Sequence, residues 1–442
     1  MVFLSAVPWT RNALSQTFGK DPPTLPTAEP PYYRVRYAAS EVEGELRYAV
    51  SYTVWVPPGV KTLRGLIVHQ HGCGEGACRA GQTAAFDLHW QELAAAHDCA
   101  LLGPSYEQPE GADCQLWCDP RHGSDKKFLQ ALKELSVTSG HTELETVPWA
   151  LWGHSGGACW VGSMLMLHPE RCAAVWMRSG IPNIFPREGI NLPTLKIPDA
   201  ALVVPSMCNL GTQEGVTVKD GRFAGVWPRV EELFKVMRDR GALIGVSVDP
   251  LSSHDCGNQR YLAIAWFDTC LRARLPENAG GSMKAMVLKD AHWAKLDGTS
   301  FEASQSFTGD AAKMSYLPNQ VVAEKWLQYS NDSQVADTTP PPAPTAIKLN
   351  GSTLTWSCRA DLESGLTAFV VMRGGKEVGR LPAQPHKNIG RSNFQKNSYS
   401  DTPSQPLAEM RFEVADAAGA KVEDFQVIAI NTVGLRSDAT SR

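Results

Sequence analysis

Short apolar segments alternate with amphipathic helical segments along most of this 442-residue chain, and this alternation restricts the possible folds more than any other feature. The apolar segments end in Gly, Ser, Tyr or Pro and resemble strands buried on both faces of a parallel sheet. They are GLIVHQHG, CALLGPSY, PWALWGHS, CAAVWMRSG, ALVVPSMCNLG and ALIGVSVDP. Helical patterns such as FDLHWQELAAAH and DKKFLQALKEL lie between them. The sequence therefore predicts an α/β fold with a mostly parallel central sheet, preceded by antiparallel strands in YYRVRYAAS and LRYAVSYTVWV.

A second region follows a proline-rich stretch, DTTPPPAPTAI, which is typical of a stiff, extended linker. After it the apolar residues recur every second position, as in STLTWSC and DFQVIAINTVGLRS. We therefore predict a large α/β domain over residues 1–335 with an N-terminal extension at 1–30, a linker at 336–345 and a small all-β sandwich at 346–442. Because every candidate site residue precedes the linker, we expect the tail to be dispensable for chemistry.

Charge and residue spacing exclude several classes of function. The formal net charge of -4 gives no broad basic field for nucleic acid or anionic membranes, and no apolar run reaches the roughly 20 residues that span a bilayer. Histidine and cysteine show no zinc-finger spacing. We therefore expect no metal, no cofactor, and neither a nucleic acid nor a membrane as partner; the oligomeric state is left open.

The chain has 11 cysteines, an odd number, so at least one is free or pairs with another chain. Cys73 with Cys78, or Cys114 with Cys118, could close a small loop disulfide. We favour an oxidising compartment and a secreted or periplasmic protein. The N-terminal MVFLSAVPWTRNAL has no basic start and does not form a convincing signal peptide.

The segment Gly153-His154-Ser155-Gly156-Gly157 follows a predicted strand and precedes a predicted helix. This is the G-x-S-x-G pattern in the strand–turn–helix context that it requires. Glycines are needed because the turn is crowded, and the turn raises the serine hydroxyl to the start of the helix, where an anion is favoured. Ser155 is the predicted nucleophile.

A nucleophilic serine needs a base, and the base needs an orienting acid. His254 follows the last predicted strand in VDPLSSHDCG and is the predicted base. The acid should follow the preceding strand, where CNLGTQEGV offers Glu214. Asp249 is the main alternative, since it ends the histidine's own strand; Asp220 and Asp255 remain open as well.

The oxyanion requires two N–H donors. Gly156, directly after the nucleophile, is one candidate. The other should lie in the turn after GLIVHQ, which reads HGCGEG, and there the amide of Cys73 is the predicted donor.

With HQHGCGEG, CQLWCDPRHGSD, GHSGG and the order Ser, acid, His, the chain resembles the α/β-hydrolase superfamily of serine esterases over Tyr32 to Pro276. More narrowly it is similar to the polyhydroxybutyrate depolymerase and feruloyl esterase branch. The resemblance implies an α/β-hydrolase fold and a serine carboxylic ester hydrolase acting on acyl esters of plant polysaccharide or on a polyester. The segment after CAAVWMRSG is too short for a large helical cap, so the site is expected to be open.

The tail resembles a fibronectin type III domain over Ala343 to Arg442, through Trp356, YSDTP and FQVIAINTVGLRS. Phe425 stands where such domains usually have a tyrosine. The resemblance implies a small β-sandwich.

Aromatic and apolar residues near the predicted strand ends are candidates for the substrate-binding wall, as opposed to simple core packing. They are His154, Tyr106, Trp117, Ile181 and Phe185. Two other functions remain open at this stage: a serine peptidase of the same fold, and a catalytically silent protein that binds carbohydrate or polymer.

Overall fold

The structure is a computed structural model that describes residues 25–186, 192–387 and 390–440. Most of the predicted N-terminal extension lies outside these ranges. No helix in the described ranges is both long and apolar enough to cross a bilayer.

An eight-stranded sheet forms the centre of the molecule, in the order β1-β2-β4-β3-β5-β6-β7-β8. Its strands are β1 (Tyr32–Tyr37), β2 (Val50–Trp55), β3 (Gly65–Gln70), β4 (Cys99–Tyr106), β5 (Trp149–His154), β6 (Cys172–Arg178), β7 (Ser206–Gly211) and β8 (Ile244–Asp249). The β1–β2 and β2–β4 pairs are antiparallel, and all later neighbours pair in parallel. This sheet, with a serine turn between β5 and the following helix, is an α/β-hydrolase fold, and the predicted fold class is confirmed.

Helices cover both faces of the sheet, which explains why its central strands are apolar throughout. The helices are α1 (Glu75–Gly81), α2 (Leu88–Ala96), α3 (Gln115–Cys118), α4 (Ser124–Ser139), α5 (Gly156–Leu167), α6 (Asp199–Leu202), α7 (Val226–Arg238), α8 (Gln259–Arg274) and α9 (Gln320–Asp332). Leu151 of β5 belongs to an apolar cluster that includes residues of α4, α5 and α7, whereas its neighbour Trp152 belongs to one that includes residues of α2, α8 and α9. Successive strand residues thus feed two separate cores.

Smaller antiparallel sheets complete the chain. The first contains β9 (His292–Ala294), β10 (Phe301–Ala303) and β11 (Ser315–Leu317). The C-terminal strands are β12 (Thr345–Asn350), β13 (Thr353–Ser357), β14 (Ala368–Arg373), β15 (Lys376–Leu381), β16 (His386–Lys387), β17 (Ser392–Asn393), β18 (Arg411–Glu413) and β19 (Phe425–Ile430). Sheets β12-β13-β18 and β15-β14-β19 share one apolar core around Trp356, Phe369 and Phe425. This agrees with an all-β tail; its fibronectin type III character and the domain boundaries remain predictions.

The tail is held against the hydrolase region by a buried ion-pair network. Arg260 of α8 donates to Asp87 at the start of α2 (2.7 Å) and to Asp401 of the tail (2.8 Å). All three residues are at most 5% exposed. Trp90 and Gln259 add hydrogen bonds to Asp401. The tail therefore packs against the hydrolase region, because buried charges must remain paired and this pairing spans both regions; the stiff linker stays a prediction.

Candidate active site

Ser155 occupies a strained turn between β5 and α5. Its φ of 56° and ψ of -116° place a residue with a side chain in the positive-φ half of the φ/ψ map, which non-glycine residues seldom adopt. A Cβ added to Gly153 would lie 2.2 Å from the carbonyl oxygen of Gly157, and one added to Gly157 would lie 2.5 Å from that of Gln70. Both glycines are thus required sterically, and the turn presents the Ser155 hydroxyl at the N-terminus of α5.

Ser155, His254 and Glu214 form a continuous hydrogen-bonded row. His254 Nε2 lies 2.9 Å from Ser155 Oγ, and His254 Nδ1 lies 2.5 Å from Glu214 Oε1. Because a carboxylate can only accept, Nδ1 carries the proton and Nε2 is left to accept from the serine hydroxyl. The structure therefore brings the three predicted residues together in the arrangement that activates a serine.

The second carboxylate oxygen of Glu214 is also fully engaged. Oε2 accepts hydrogen bonds from Ser179 Oγ (2.7 Å) and from the Gly211 amide (2.8 Å). Burial by itself would raise the pKa of Glu214, but the hydrogen bond with His254, the charge of Arg178 and the Gly211 amide outweigh it. The net pKa lies below the usual range, so the carboxylate stays ionised beside the imidazole.

The alternative acids have other partners. Asp249 accepts hydrogen bonds from Tyr329 Oη (3.0 Å), the Leu251 amide (2.9 Å) and Ser333 Oγ. Asp255 accepts from the Ser253 amide, and Asp220 is exposed. Asp249 thus ties the end of β8 to α9 and the residue that follows it, rather than contacting the imidazole.

The loop that carries His254 is anchored by Arg178 at the end of β6. The buried guanidinium donates to Asn209 Oδ1 (2.9 Å), Ser252 Oγ (3.0 Å) and the carbonyls of Ser253 (2.8 Å) and Asp255. Sequence reasoning missed this residue. An arginine that closes an otherwise apolar strand was the signal, since a buried charge needs partners nearby.

Phe223 was also missed. Its ring is parallel to the imidazole of His254, with 3.8 Å between the ring centroids and 3° between the planes. Nothing in the surrounding sequence distinguishes Phe223 from an ordinary loop aromatic, because the contact depends on how the loop between β7 and α7 folds back.

The candidate oxyanion donors lie beside the nucleophile. A Cβ added to Gly72 would lie 3.3 Å from Ser155 Cβ, so the HGCG turn runs directly against the serine. Cys73 forms a disulfide with Cys114, with 5.7 Å between the Cα atoms. At Gly156 an added Cβ would lie 2.1 Å from Cys73 Sγ. Cys73 and Gly156 are therefore neighbours, and their roles as donors remain proposals.

This disulfide corrects both pairings suggested from spacing. Cys78 is a buried free thiol, as is Cys118. The disulfide could not be predicted from cysteine spacing, because Cys73 and Cys114 are 41 positions apart and come together only when α3 packs against α5.

A cleft of about 690 Å³ opens above Ser155. Three segments line it: the disulfide with the start of α3, the turn after β6, and the turn leading into α7. The described residues between β6 and α6 contain no helix, in keeping with the expected open site.

Only Ile181 of the predicted wall residues lines this cleft. Tyr106 and Trp117 are fully buried and stack on each other with centroids 4.6 Å apart. Phe185 packs against the core outside the cleft. None of these three side chains faces the cleft: Tyr106 and Trp117 fill the interior behind the strand ends, and the half-buried Phe185 packs against the core.

His154 is a fourth correction. It is 1% exposed, and its Nε2 donates to the backbone carbonyl of His254 (2.7 Å). Burial lowers its pKa well below the usual value, so the ring is neutral. Its contact steadies the loop of the catalytic histidine candidate, because His154 points beneath the turn rather than above it.

Within the described ranges, the side chains closest to metal-ligand spacing are those of Cys73, Cys114 and Cys118. Two of these sulfurs are joined to each other, and the pKa of the buried Cys118 thiol is raised by its neighbour Cys159 and by burial. A disulfide and a protonated thiol do not make a thiolate site.

No protein-family model and no curated protein matches the chain. Among solved structures, it is similar to a poly(3-hydroxybutyrate) depolymerase from Bordetella parapertussis (15% identity, 56% of this chain and 92% of that chain, TM-score 0.38). It is also similar to a ferulic acid esterase (15%, 51% and 90%, TM-score 0.34). An S-formylglutathione hydrolase from Agrobacterium tumefaciens is a third (13%, 55% and 93%, TM-score 0.33). At these identities and scores the similarity carries no conclusion about substrate or mechanism.

Proposed function

We propose that the chain is a serine carboxylic ester hydrolase. The observation that carries this proposal is the Ser155–His254–Glu214 row at a strained strand-to-helix turn beneath an open cleft. A serine with an adjacent neutral imidazole and a buried carboxylate is the arrangement that supports acyl transfer.

In the proposed reaction Ser155 Oγ attacks the ester carbonyl while His254 Nε2 takes its proton. Glu214 accepts from Nδ1 and stabilises the imidazolium that forms. The amides of Cys73 and Gly156 hold the oxyanion. His254 then gives its proton to the departing alcohol, and a water, activated by the same imidazole, hydrolyses the acyl-enzyme.

The same residues support a finer proposal about setting. A disulfide between Cys73 and Cys114 is stable in an oxidising compartment, which favours a secreted or periplasmic enzyme. An open cleft admits a bulky ester, such as an acylated polysaccharide or a polyester chain.

The test is hydrolysis of 4-nitrophenyl acetate by the full chain and by Ser155→Ala, with Ser139→Ala on α4 as the matched control. We expect Ser155→Ala to lower kcat by about 10³-fold or more at unchanged circular dichroism, and the control to match wild type. Retention of a tenth of wild-type kcat by folded Ser155→Ala would exclude the mechanism. A panel of acetyl, feruloyl and polyester substrates, with peptide anilides, then assigns the substrate.

A further inference from the structure

Two arginines on one wall are among the described residues that line the cleft. Arg222 and Arg229 lie in the segment between β7 and the first turns of α7, line the cleft, and are exposed. Among the described residues, no carboxylate lies within salt-bridge distance of Arg222. The cleft's own carboxylate, Asp113, belongs to the segment that bears the disulfide and accepts a hydrogen bond from the Gln115 amide.

Arg222 is placed relative to the catalytic histidine candidate by Phe223. Its guanidinium carbon lies 5.0 Å from the centroid of the Phe223 ring. The imidazole of His254 covers that same ring at 3.8 Å. Since these two distances share the Phe223 centroid, the guanidinium carbon of Arg222 lies at most about 9 Å from the centroid of the His254 imidazole. A cation so close to the reacting groups can contact substrate during turnover.

The charge comes from the side chains and not from the end of α7. The Val226 amide already donates to the Phe223 carbonyl (3.0 Å), and the Trp227 amide donates to the Glu214 carbonyl (2.9 Å). Pro228 has no N–H. The start of this helix therefore has no amide left over for an anion in its first three positions.

The wall that bears Arg222 adjoins His254, and the proposed reaction places the departing alcohol beside that imidazole. His254 must protonate the leaving oxygen, so the alcohol portion of the ester lies next to the imidazole. The proposed oxyanion donors, Cys73 and Gly156, lie on the disulfide side of Ser155. Arg222, next to Phe223 and within about 9 Å of the imidazole, is therefore expected to be nearer the alcohol portion than the carbonyl oxygen.

Building on the proposed function, we propose that this enzyme prefers esters whose alcohol portion carries a carboxylate, that is, esters of hydroxycarboxylic acids. Arg222 binds the carboxylate. A planar guanidinium suits a carboxylate because it offers paired N–H donors.

The test compares two esters of the same shape, 4-acetoxybenzoate and 4-acetoxybenzamide, each normalised to its hydroxide-catalysed rate. We expect wild type to favour the carboxylate in kcat/KM, and Arg222→Gln to lower the carboxylate-to-amide ratio about tenfold. Arg240→Gln is the matched control, since Arg240 pairs with Asp199 outside the cleft and its removal changes net charge equally. A ratio of about one in wild type, or one that falls equally in both variants, would overturn the proposal.

A second pair of substrates tests a carboxylate on the acyl side of the ester. The 4-nitrophenyl monoester of adipic acid carries that carboxylate, and 4-nitrophenyl hexanoate is its neutral counterpart. The adipate-to-hexanoate ratio should not respond to Arg222→Gln. If this ratio falls tenfold while the benzoate ratio is unchanged, the anion binds on the acyl side and the assignment to the alcohol is wrong.

Binding measured without turnover separates this inference from the proposed function. Calorimetry of full-length Ser155→Ala should show 4-hydroxybenzoate binding at least about fivefold tighter than 4-hydroxybenzamide, with the difference lost when Arg222→Gln is added. Failure of every ester to react, with this binding difference intact, would refute the hydrolase and retain the carboxylate site. Equal binding of the two phenols would refute the site even if esters are hydrolysed.

Discussion

Phe223 stacks face to face on His254, with the ring centroids 3.8 Å apart and the planes within 3° of parallel. The imidazole is thus held in its plane from one side while its two nitrogens bond to Ser155 and Glu214. A ring restrained in this way loses little freedom when it accepts and returns a proton, which is what preorganisation requires.

Replacing Phe223 with leucine should lower kcat for a neutral ester about tenfold and leave KM within about twofold, because leucine fills volume without offering a flat face. Steady-state kinetics at matched folded fraction measures this. Phe307→Leu, outside the cleft, is the control. An unchanged kcat in Phe223→Leu would show that the stack does not position the imidazole.

Glu214 and Asp249 should separate cleanly in mutagenesis. Glu214→Gln removes the acceptor that holds the imidazole tautomer and should lower kcat by about 10² to 10⁴, as in other acid-to-amide changes of this kind. Asp249→Asn disturbs a buried contact with Tyr329 and Ser333 and should mainly lower the free energy of unfolding. Parallel kinetics and urea titrations decide. If kcat falls strongly in Asp249→Asn but stays near the wild-type value in Glu214→Gln, Asp249 and not Glu214 is the acid that orients His254.

The Cys73–Cys114 disulfide should matter for catalysis as well as stability. Cys114→Ser frees the turn that carries the Cys73 amide, and loss of one oxyanion donor costs about 10² to 10³ in kcat when complete. We expect a fall of about 10- to 100-fold in kcat with little change in KM, reproduced by reducing the wild type. Cys358→Ser, at a free cysteine in the tail, is the control. Full activity after verified reduction would contradict a role for the disulfide in holding the donor.

Asp401 should anchor the tail through its charge. Burial alone would raise its pKa, but the charge of Arg260 and contacts with His69 lower it below the usual value. A carboxyl group with a lowered folded-state pKa contributes stability above its unfolded pKa of about 3.9, and this is lost as the pH falls through the folded value.

Asp401→Asn should therefore lower the free energy of unfolding by about 3 to 5 kcal/mol near pH 7, since it leaves part of the Arg260 charge unmatched in the interior. Below pH 4 the gap between wild type and variant should narrow. Urea titrations from pH 7 to pH 3 measure both effects, with Asp416→Asn on the exposed surface of the tail as the control. A gap that is constant with pH would mean that Asp401 acts through shape and not through charge.

Local pattern and chain order were enough to predict the fold class, Ser155 and His254, and to put Glu214 first among four candidate acids. A chain of alternating strands and helices buries its apolar residues best when the helices cover both faces of a parallel sheet. In such a sheet all carboxyl ends meet at one edge, so residues that follow successive strands converge there. Ser155 follows β5, Glu214 follows β7 and His254 follows β8.

The tertiary structure alone decided the contacts that depend on distant segments meeting. Cys73 joins Cys114 across 41 positions, and Arg260 donates to Asp401 across 141. Tyr106 and Trp117 point into the interior, where their rings stack on each other. Phe223 contacts His254 because the loop between β7 and α7 folds back over the edge of the sheet. Side-chain direction and long-range pairing depend on tertiary packing, and the local periodicity of the sequence does not specify them. The positions of the strand ends could therefore be predicted, but not which neighbouring side chains face the cleft.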